Sequence, residues 1–299
     1  MIPAAFEYTA VKSLDEALRL LDRHGDEAKL LAGGHSLLPL MKLRLASPRY
    51  IIDIGRLHGL SYIRLEGDQI AIGGLTTHAD IAASDLLLGR CSVLAETAAS
   101  IGDVQVRNRG TIGGSLAHSD PAADYPATIL ALDADIVATS GAGKRTIPSA
   151  DFFVDLLATQ LRPGEILTEV RVPASKPGTG AAYEKLHQPA SGFALVGVAA
   201  RIAISKGGKI EDVAIGVTGL GAKAFRATAV EKALRGKNAS PKLFADSVRQ
   251  VAQGIDALSD IHASADYRKA MAAVYARRAL EKAFSRAGGG SSRKSNGKG

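Results

Sequence analysis

Two glycine pairs set the tightest constraint on this chain. Gly33-Gly34 lies in Leu31-Ala32-Gly33-Gly34-His35-Ser36-Leu37, and Gly113-Gly114 in Arg109-Gly110-Thr111-Ile112-Gly113-Gly114-Ser115. The first pair follows an apolar run, 28–32, that reads as a short buried strand. It precedes 37–43, which reads as a helix with Pro39 tolerated in its first turn. Glycines at such a turn let the backbone approach an anion, and a helix start leaves N–H groups free to donate to it; Ser36 can donate too, or cap the helix. An ordinary strand-to-helix turn is the other reading of this segment. The second pair lies in a long Gly-rich stretch, 109–124, read as irregular. It adds hydroxyls at Thr111 and Ser115 and carboxylates at Asp120 and Asp124. Hydroxyls and exposed N–H groups suit a pyrophosphate, and Asp124 can accept from a ribose or ribityl hydroxyl. Two phosphates of one dinucleotide want two such cradles, and long Gly-rich loops inside a compact domain usually serve function.

The rest of the pattern builds a scaffold around these turns. Ser13-Leu14-Asp15-Glu16 is a capping box opening an amphipathic helix that Gly25 can end. With strands at 28–32 and 50–54, residues 1–55 read as a small βαβ lobe. A hairpin at 61–65 and 69–73, helices at 77–83, 91–101 and 125–132, paired strands at 135–139 and 144–147, and a strand at 165–172 fill a second lobe, 56–173. Pro173-Ala174-Ser175-Lys176-Pro177-Gly178 marks a boundary. Beyond it, strands at 194–205 and 209–218 and helices at 227–234, 241–253 and 267–285 give an antiparallel sheet with helices on one face over 178–285. The fold class is α+β. Residues 286–299 have linker composition and read as a disordered basic tail.

Several function classes fall away. The only cysteine, Cys91, excludes an intrachain disulfide, a Cys-rich zinc site or an iron–sulfur cluster held by this chain, and its Cys91-Ser92-Val93-Leu94 context reads as a packed helix. The formal charge is +7, but Arg286, Arg293, Lys294 and Lys298 lie in the tail with no acidic residue, leaving +3 before it. With 5% aromatics and no basic run in the body, nucleic acid is not an expected partner. No apolar run approaches the ~20 residues of a membrane helix, and no secretory signal is visible, so the expected location is the cytoplasm. Ser36 and Ser115 lack a hydrolase elbow, and the histidines lack metal-ligand spacing. Gly219-Leu220-Gly221 imitates a dinucleotide fingerprint, but no acidic residue ends a second strand ~20 residues on, so it reads as a turn.

Residues 32–44, running Ala32-Gly33-Gly34-His35-Ser36-Leu37-Leu38-Pro39-Leu40-Met41-Lys42-Leu43-Arg44, together with Thr111-Ile112-Gly113-Gly114-Ser115 and Asp120-Pro121-Ala122-Ala123-Asp124, resemble the FAD-binding medium subunit of the xanthine dehydrogenase and carbon monoxide dehydrogenase family. The wording of Gly34-His35-Ser36-Leu37-Leu38-Pro39 is most similar to the carbon monoxide dehydrogenase branch. The resemblance covers nearly the whole chain. It implies a vanillyl-alcohol-oxidase-type FAD-binding domain of two subdomains, followed by an antiparallel-sheet-plus-helices C-terminal domain.

Carried over by position, the resemblance implies that Ala32, Gly33, Gly34, His35, Ser36 and Leu37 line the pyrophosphate. Thr111, Gly113, Gly114 and Ser115 form the other cradle, and Asp124 anchors a hydroxyl. Ile166 or Leu167 touches the cofactor. Lys185 stands near the flavin ring, where its charge would favour the reduced anion; a surface salt bridge is the competing reading. Phe193 takes the place of a tyrosine that some members set against the ring. No catalytic residue and no metal ligand is assigned to this chain. The resemblance further implies a small iron–sulfur subunit carrying [2Fe–2S] clusters and a large molybdopterin subunit as partners, in a dimer of heterotrimers. The chain's role would be to pass electrons from those clusters through FAD to NAD, a quinone or another small acceptor. Carbon monoxide is the favoured substrate of the complex, with purines, aldehydes and N-heterocycles behind it. A free-standing FAD oxidoreductase and a flavin-binding assembly protein or sensor are the rival readings.

Overall fold

The computed structural model describes residues 2–289. Its first sheet has three parallel strands in the order Glu7–Ala10, Tyr50–Asp53, Ala28–Leu31. The βαβ unit expected over the first 55 residues is present: Ala28–Leu31 leads through the helix Leu37–Lys42 to Tyr50–Asp53. The edge strand Glu7–Ala10 has no counterpart in the sequence reading. It is exposed for most of its length, so no apolar alternation marks it. Helix Leu14–His24 starts at the capping box: the Ser13 hydroxyl accepts from Glu16 N at 3.1 Å. The reciprocal half reaches one residue further back, with the Glu16 carboxylate accepting from Lys12 N at 2.8 Å. Ser13→Ala is expected to cost about 1 kcal/mol in chemical denaturation, and an unchanged midpoint would show that the cap does not hold this helix.

The second sheet is antiparallel, ordered Ile63–Glu66, Gln69–Gly73, Ile166–Pro173, Asp135–Ser140, Gly143–Pro148. Ile70, Ile72, Ile136, Val170 and Val172 bury its inner face against Ser92–Ala99 and Tyr125–Ala131, which carry Leu94, Ala98, Ala127 and Leu130 into the same core. One departure bears on the site. The stretch 109–124 is not irregular throughout, because Ile112–His118 is a helix capped by Thr111, whose hydroxyl accepts from Gly114 N at 3.1 Å. Two glycines argue against a helix by propensity. Here one of them answers a packing demand, since a Cβ on Gly113 would stand 2.6 Å from Gly74 O.

The third sheet, also antiparallel, is ordered Thr179–His187, Ala194–Ile204, Ile210–Thr218, Phe225–Arg226. Helix Ala265–Phe284 covers one face, and Tyr125–Ala131 of the preceding region covers the other, so close that a Cβ on Gly216 would lie 1.9 Å from Ala127 O. The first strand carries no strong strand signal because Thr179-Gly180-Ala181-Ala182 is made of small residues. They are required: a Cβ on Gly180 would overlap Ala283 O at 2.0 Å. Asp133 ties the regions together, accepting from Arg201 at 2.6 Å and Arg226 at 2.5 Å. Arg286, assigned from sequence to the disordered tail, instead pairs with Glu96 and donates to Ala181 O at 2.8 Å. The remainder of that tail, 290–299, lies outside the described residues. Among the described residues no helix is long and apolar enough to cross a membrane.

Candidate functional site

A cavity of about 530 Å³ opens where the first two sheets and the loops of the third converge. All but one of the sequence-predicted residues line it: Ala32, Gly33, Gly34, His35, Ser36, Leu37, Thr111, Gly113, Gly114, Ser115, Asp124, Ile166, Leu167 and Phe193. Lys185 alone stands behind the wall.

The two glycine pairs do different work. Around the first, the amides of Gly33, Gly34, His35, Ser36 and Leu37 donate to no acceptor among the described residues. Gly34 has φ +81°, a left-handed conformation that glycine adopts without strain. Ser36 makes no side-chain cap, so its hydroxyl is free to bind. Five adjacent N–H groups without partners are what a bound anion would satisfy. The second pair departs from expectation, because its N–H groups are engaged. Ile112 N donates to Thr76 O, Gly113 N to Gly74 O, Gly114 N to Thr111 Oγ1 and Ser115 N to Thr111 O. This segment offers hydroxyls on Thr111 and Ser115, and clearance: apart from Thr111, a Cβ on Gly114 would meet nothing nearer than Ala32 Cβ at 3.9 Å. The two turns also touch, since a Cβ on Gly33 would lie 2.1 Å from Arg109 O.

Asp124 is buried at the cavity wall. Its Oδ1 accepts from the Tyr183 hydroxyl at 2.5 Å and pairs with Lys185 Nζ at 2.9 Å. Burial pushes the Asp124 carboxyl up, against the pull of Lys185 and of the Tyr183 hydroxyl. The Lys185 side chain is 8% exposed and also donates to Ser100 O and Gly192 O, each at 2.8 Å. It is therefore not the surface salt bridge considered from sequence, but a buried charge paired with a residue of the cavity wall. Phe193 is half-exposed at the mouth, on a turn in which Gln188 N donates to Phe193 O.

Sequence reasoning missed His78, Gly74, Ile101, Gly102, Gly110 and Leu157, all of which line the cavity. His78 N donates to Gly110 O, and a Cβ on Gly110 would strike His78 Nε2 at 2.5 Å. Burial lowers the His78 imidazole to about 4, with His35 and Arg107 adding to the effect, so it is neutral near pH 7. Its Nδ1 has no partner among the described residues, and its ring meets Tyr125 edge-on at 5.3 Å. The pairing of Thr77 with Thr111 brings it here, and no local pattern announces such a non-local bridge. Leu157 reaches the mouth from a hairpin tip at φ +53°. Gly219-Leu220-Gly221 is a turn, as read: Gly219 N donates to Pro121 O, and the segment lies outside the cavity.

The arrangement fits an elongated ligand with an anionic centre and hydroxyls, held between amides on one side and hydroxyls on the other. Two family profiles match the chain: the FAD binding domain in molybdopterin dehydrogenase over residues 4–175, and the CO dehydrogenase flavoprotein C-terminal domain over 181–283. The chain is 41% identical over 286 residues to the carbon monoxide dehydrogenase medium chain of Hydrogenophaga pseudoflava, across 96% of this chain and 99% of that one. It is 39% identical over 287 residues to the 6-hydroxypseudooxynicotine dehydrogenase complex subunit alpha of Paenarthrobacter nicotinovorans, across 96% and 97%. A solved structure of carbon monoxide dehydrogenase from Hydrogenophaga pseudoflava, lacking the Mo-pyranopterin moiety of its molybdenum cofactor, matches with a TM-score of 0.93 at 43% identity, over 96% of this chain and 99% of that one.

Proposed function

The chain belongs to the FAD-binding medium-subunit family of the molybdenum hydroxylases, and from that membership we propose that it is the electron-transfer subunit of a carbon monoxide dehydrogenase-like complex. It takes electrons from [2Fe–2S] clusters on a small partner subunit and passes them to NAD, a quinone or another small acceptor. A large molybdopterin subunit completes the assembly, as a dimer of heterotrimers in the cytoplasm. Residues 1–173 form the FAD-binding domain, with lobes at 1–55 and 56–173, and 178–285 form the C-terminal domain.

The observation that supports this reading most is the run of unpartnered amides from Gly33 to Leu37 on the cavity wall. In it, those N–H groups and Ser36 hold the pyrophosphate, with Thr111 and Ser115 donating from the facing turn. Asp124 accepts a ribose or ribityl hydroxyl, its position fixed by Tyr183 and Lys185. Ile166 and Leu167 exclude water beside the cofactor, and Phe193 covers the mouth without a hydroxyl to offer. Bound FAD supplies a carrier that exchanges electrons singly or in pairs, which suits it to join one-electron clusters to a two-electron acceptor. Cys91 has no part in this: it is buried outside the cavity, and burial pushes its thiol up to about 12.

The identity of the complex's substrate rests on the partner. Relatives named for carbon monoxide and for 6-hydroxypseudooxynicotine match this chain at 41% and 39%, so the flavin subunit hardly separates them. Xanthine, aldehyde and N-heterocycle dehydrogenases remain alternatives for the same chain. The purified chain alone is expected to carry stoichiometric FAD that bleaches with dithionite and to show no iron–sulfur absorption. A folded, colourless chain that takes up no added FAD would overturn the proposal. Sustained turnover of an organic substrate by this chain alone would favour a free-standing oxidoreductase.

A further inference from the structure

The cavity wall between the turn 100–102 and the loop 188–193 is a joint rather than a continuous element. Ile101 and Gly102 line the cavity from one side, and Ser191, Gly192 and Phe193 from the other. The two segments abut where a Cβ on Gly192 would stand 3.3 Å from Gly102 Cα. No backbone–backbone hydrogen bond joins them among the described residues. Lys185 does: its ammonium donates to Ser100 O on one side and to Gly192 O on the other, and pairs with Asp124. Arg107 secures the turn separately, donating to Ile101 O at 2.9 Å and Gly102 O at 3.2 Å.

We infer that Lys185 is a positioning residue, whose two hydrogen bonds and ion pair fasten the Phe193 loop and the 100–102 turn to Asp124 and so set the opening of the site. Two of its three protons go to backbone carbonyls on separate segments, and its charge is paired with Asp124 on a third. A cation this buried must be compensated, and Asp124 supplies the charge. Asp124 also lines the cavity, so one carboxylate serves the clasp through Oδ1 and the cavity wall at once. The loop that carries the exposed Phe193 ring is thereby anchored to the same residue that is proposed to hold a cofactor hydroxyl. The inference rests on the proposed FAD site only for its consequence, since the clasp belongs to the chain itself.

The test uses the full chain, with and without FAD, as Lys185→Met and as Lys185→Met/Asp124→Asn. The double variant removes the stranded carboxylate but cannot replace the donors to Ser100 O and Gly192 O. Amide hydrogen exchange at 100–102 and 190–193 is expected to rise roughly 10-fold or more in both variants, with the central strand Ala194–Ile204 unchanged. In the FAD-loaded proteins, acrylamide quenching of flavin fluorescence is expected to increase in parallel. Wild-type exchange at 190–193 in the double variant would overturn the inference, reducing Lys185 to a counter-charge for Asp124. Unchanged exchange in Lys185→Met would overturn it as well. Where the single variant does not fold, the double variant decides. Exchange in the FAD-free chain reads the clasp by itself, so failure to bind FAD strikes the proposed function and leaves this result standing.

Discussion

A Gly33→Ala variant is expected to leave purification without flavin while retaining its fold. The added Cβ would lie 2.1 Å from Arg109 O, 2.7 Å from Arg109 C and 2.8 Å from Gly110 Cα. All three are backbone atoms, so no side chain can rotate away and the two turns must separate. Gly33 opens the run of free amides, and Arg109-Gly110 leads into Thr111, so separation misaligns both sides of the proposed pyrophosphate site together. Overpacking of this kind costs about 1–3 kcal/mol of folding stability, and with the facing turns pushed apart the FAD affinity is expected to fall by roughly 10-fold or more. The absorbance ratio at 450 and 280 nm and a titration with FAD check it. Gly89→Ala is the control: Gly89 lies in the helix Asp85–Arg90 with nothing within 4 Å of the new methyl, and is expected to keep its flavin and gain up to ~1 kcal/mol of stability. A Gly33→Ala protein with wild-type FAD affinity would mean that this turn does not hold the cofactor.

What could be read in advance follows the range over which each feature is encoded. Gly33-Gly34 was legible because strand, turn and helix are contiguous, and the same local signals gave the capping box at Ser13 and the hairpin at 63–73. The helix Ile112–His118 was hidden by its own glycines, whose reason lies at Gly74, far away in sequence. Strand Thr179–His187 was hidden likewise, its small residues fitted to Ala283 O on the last helix. Lys185 was singled out by resemblance, but its acceptors on Ser100 and Gly192 depend on tertiary placement, so no local pattern announced them. His78 carries no sequence mark at all. Local pattern thus exposes where a chain can bind, whereas the shape and charge of the wall come from pairings between distant segments.

His78 also gives the chain a pH response that separates it from the acidic groups. An imidazole lowered from 6.5 to about 4 by burial binds its proton more weakly in the folded chain than in the unfolded one. Stability from this group is therefore whole above 6.5, falls as pH drops, and stops falling below about 4. The shift corresponds to roughly 3 kcal/mol, of which about 2 kcal/mol is lost by pH 5. Carboxyls held down by partners, such as Glu165 by Arg145, lose their contribution only as pH falls below the ordinary carboxylate value, so they act in a lower window. Asp124 acts with the opposite sign, because burial raises its carboxyl and protonation favours the fold. Comparison with His78→Gln cancels both contributions. Urea denaturation between pH 7 and pH 5 is expected to show the wild type losing about 2 kcal/mol and the variant little of that. An identical loss in His78→Gln would assign the response to other groups. His78 N donates to Gly110 O and its ring fills the place of a Gly110 side chain, so protonation sets a charge against the same backbone that Gly33 packs on. FAD release on acidification is therefore expected to track the His78 titration and to shift in His78→Gln; release that follows the same pH profile in both proteins would separate flavin retention from this side chain.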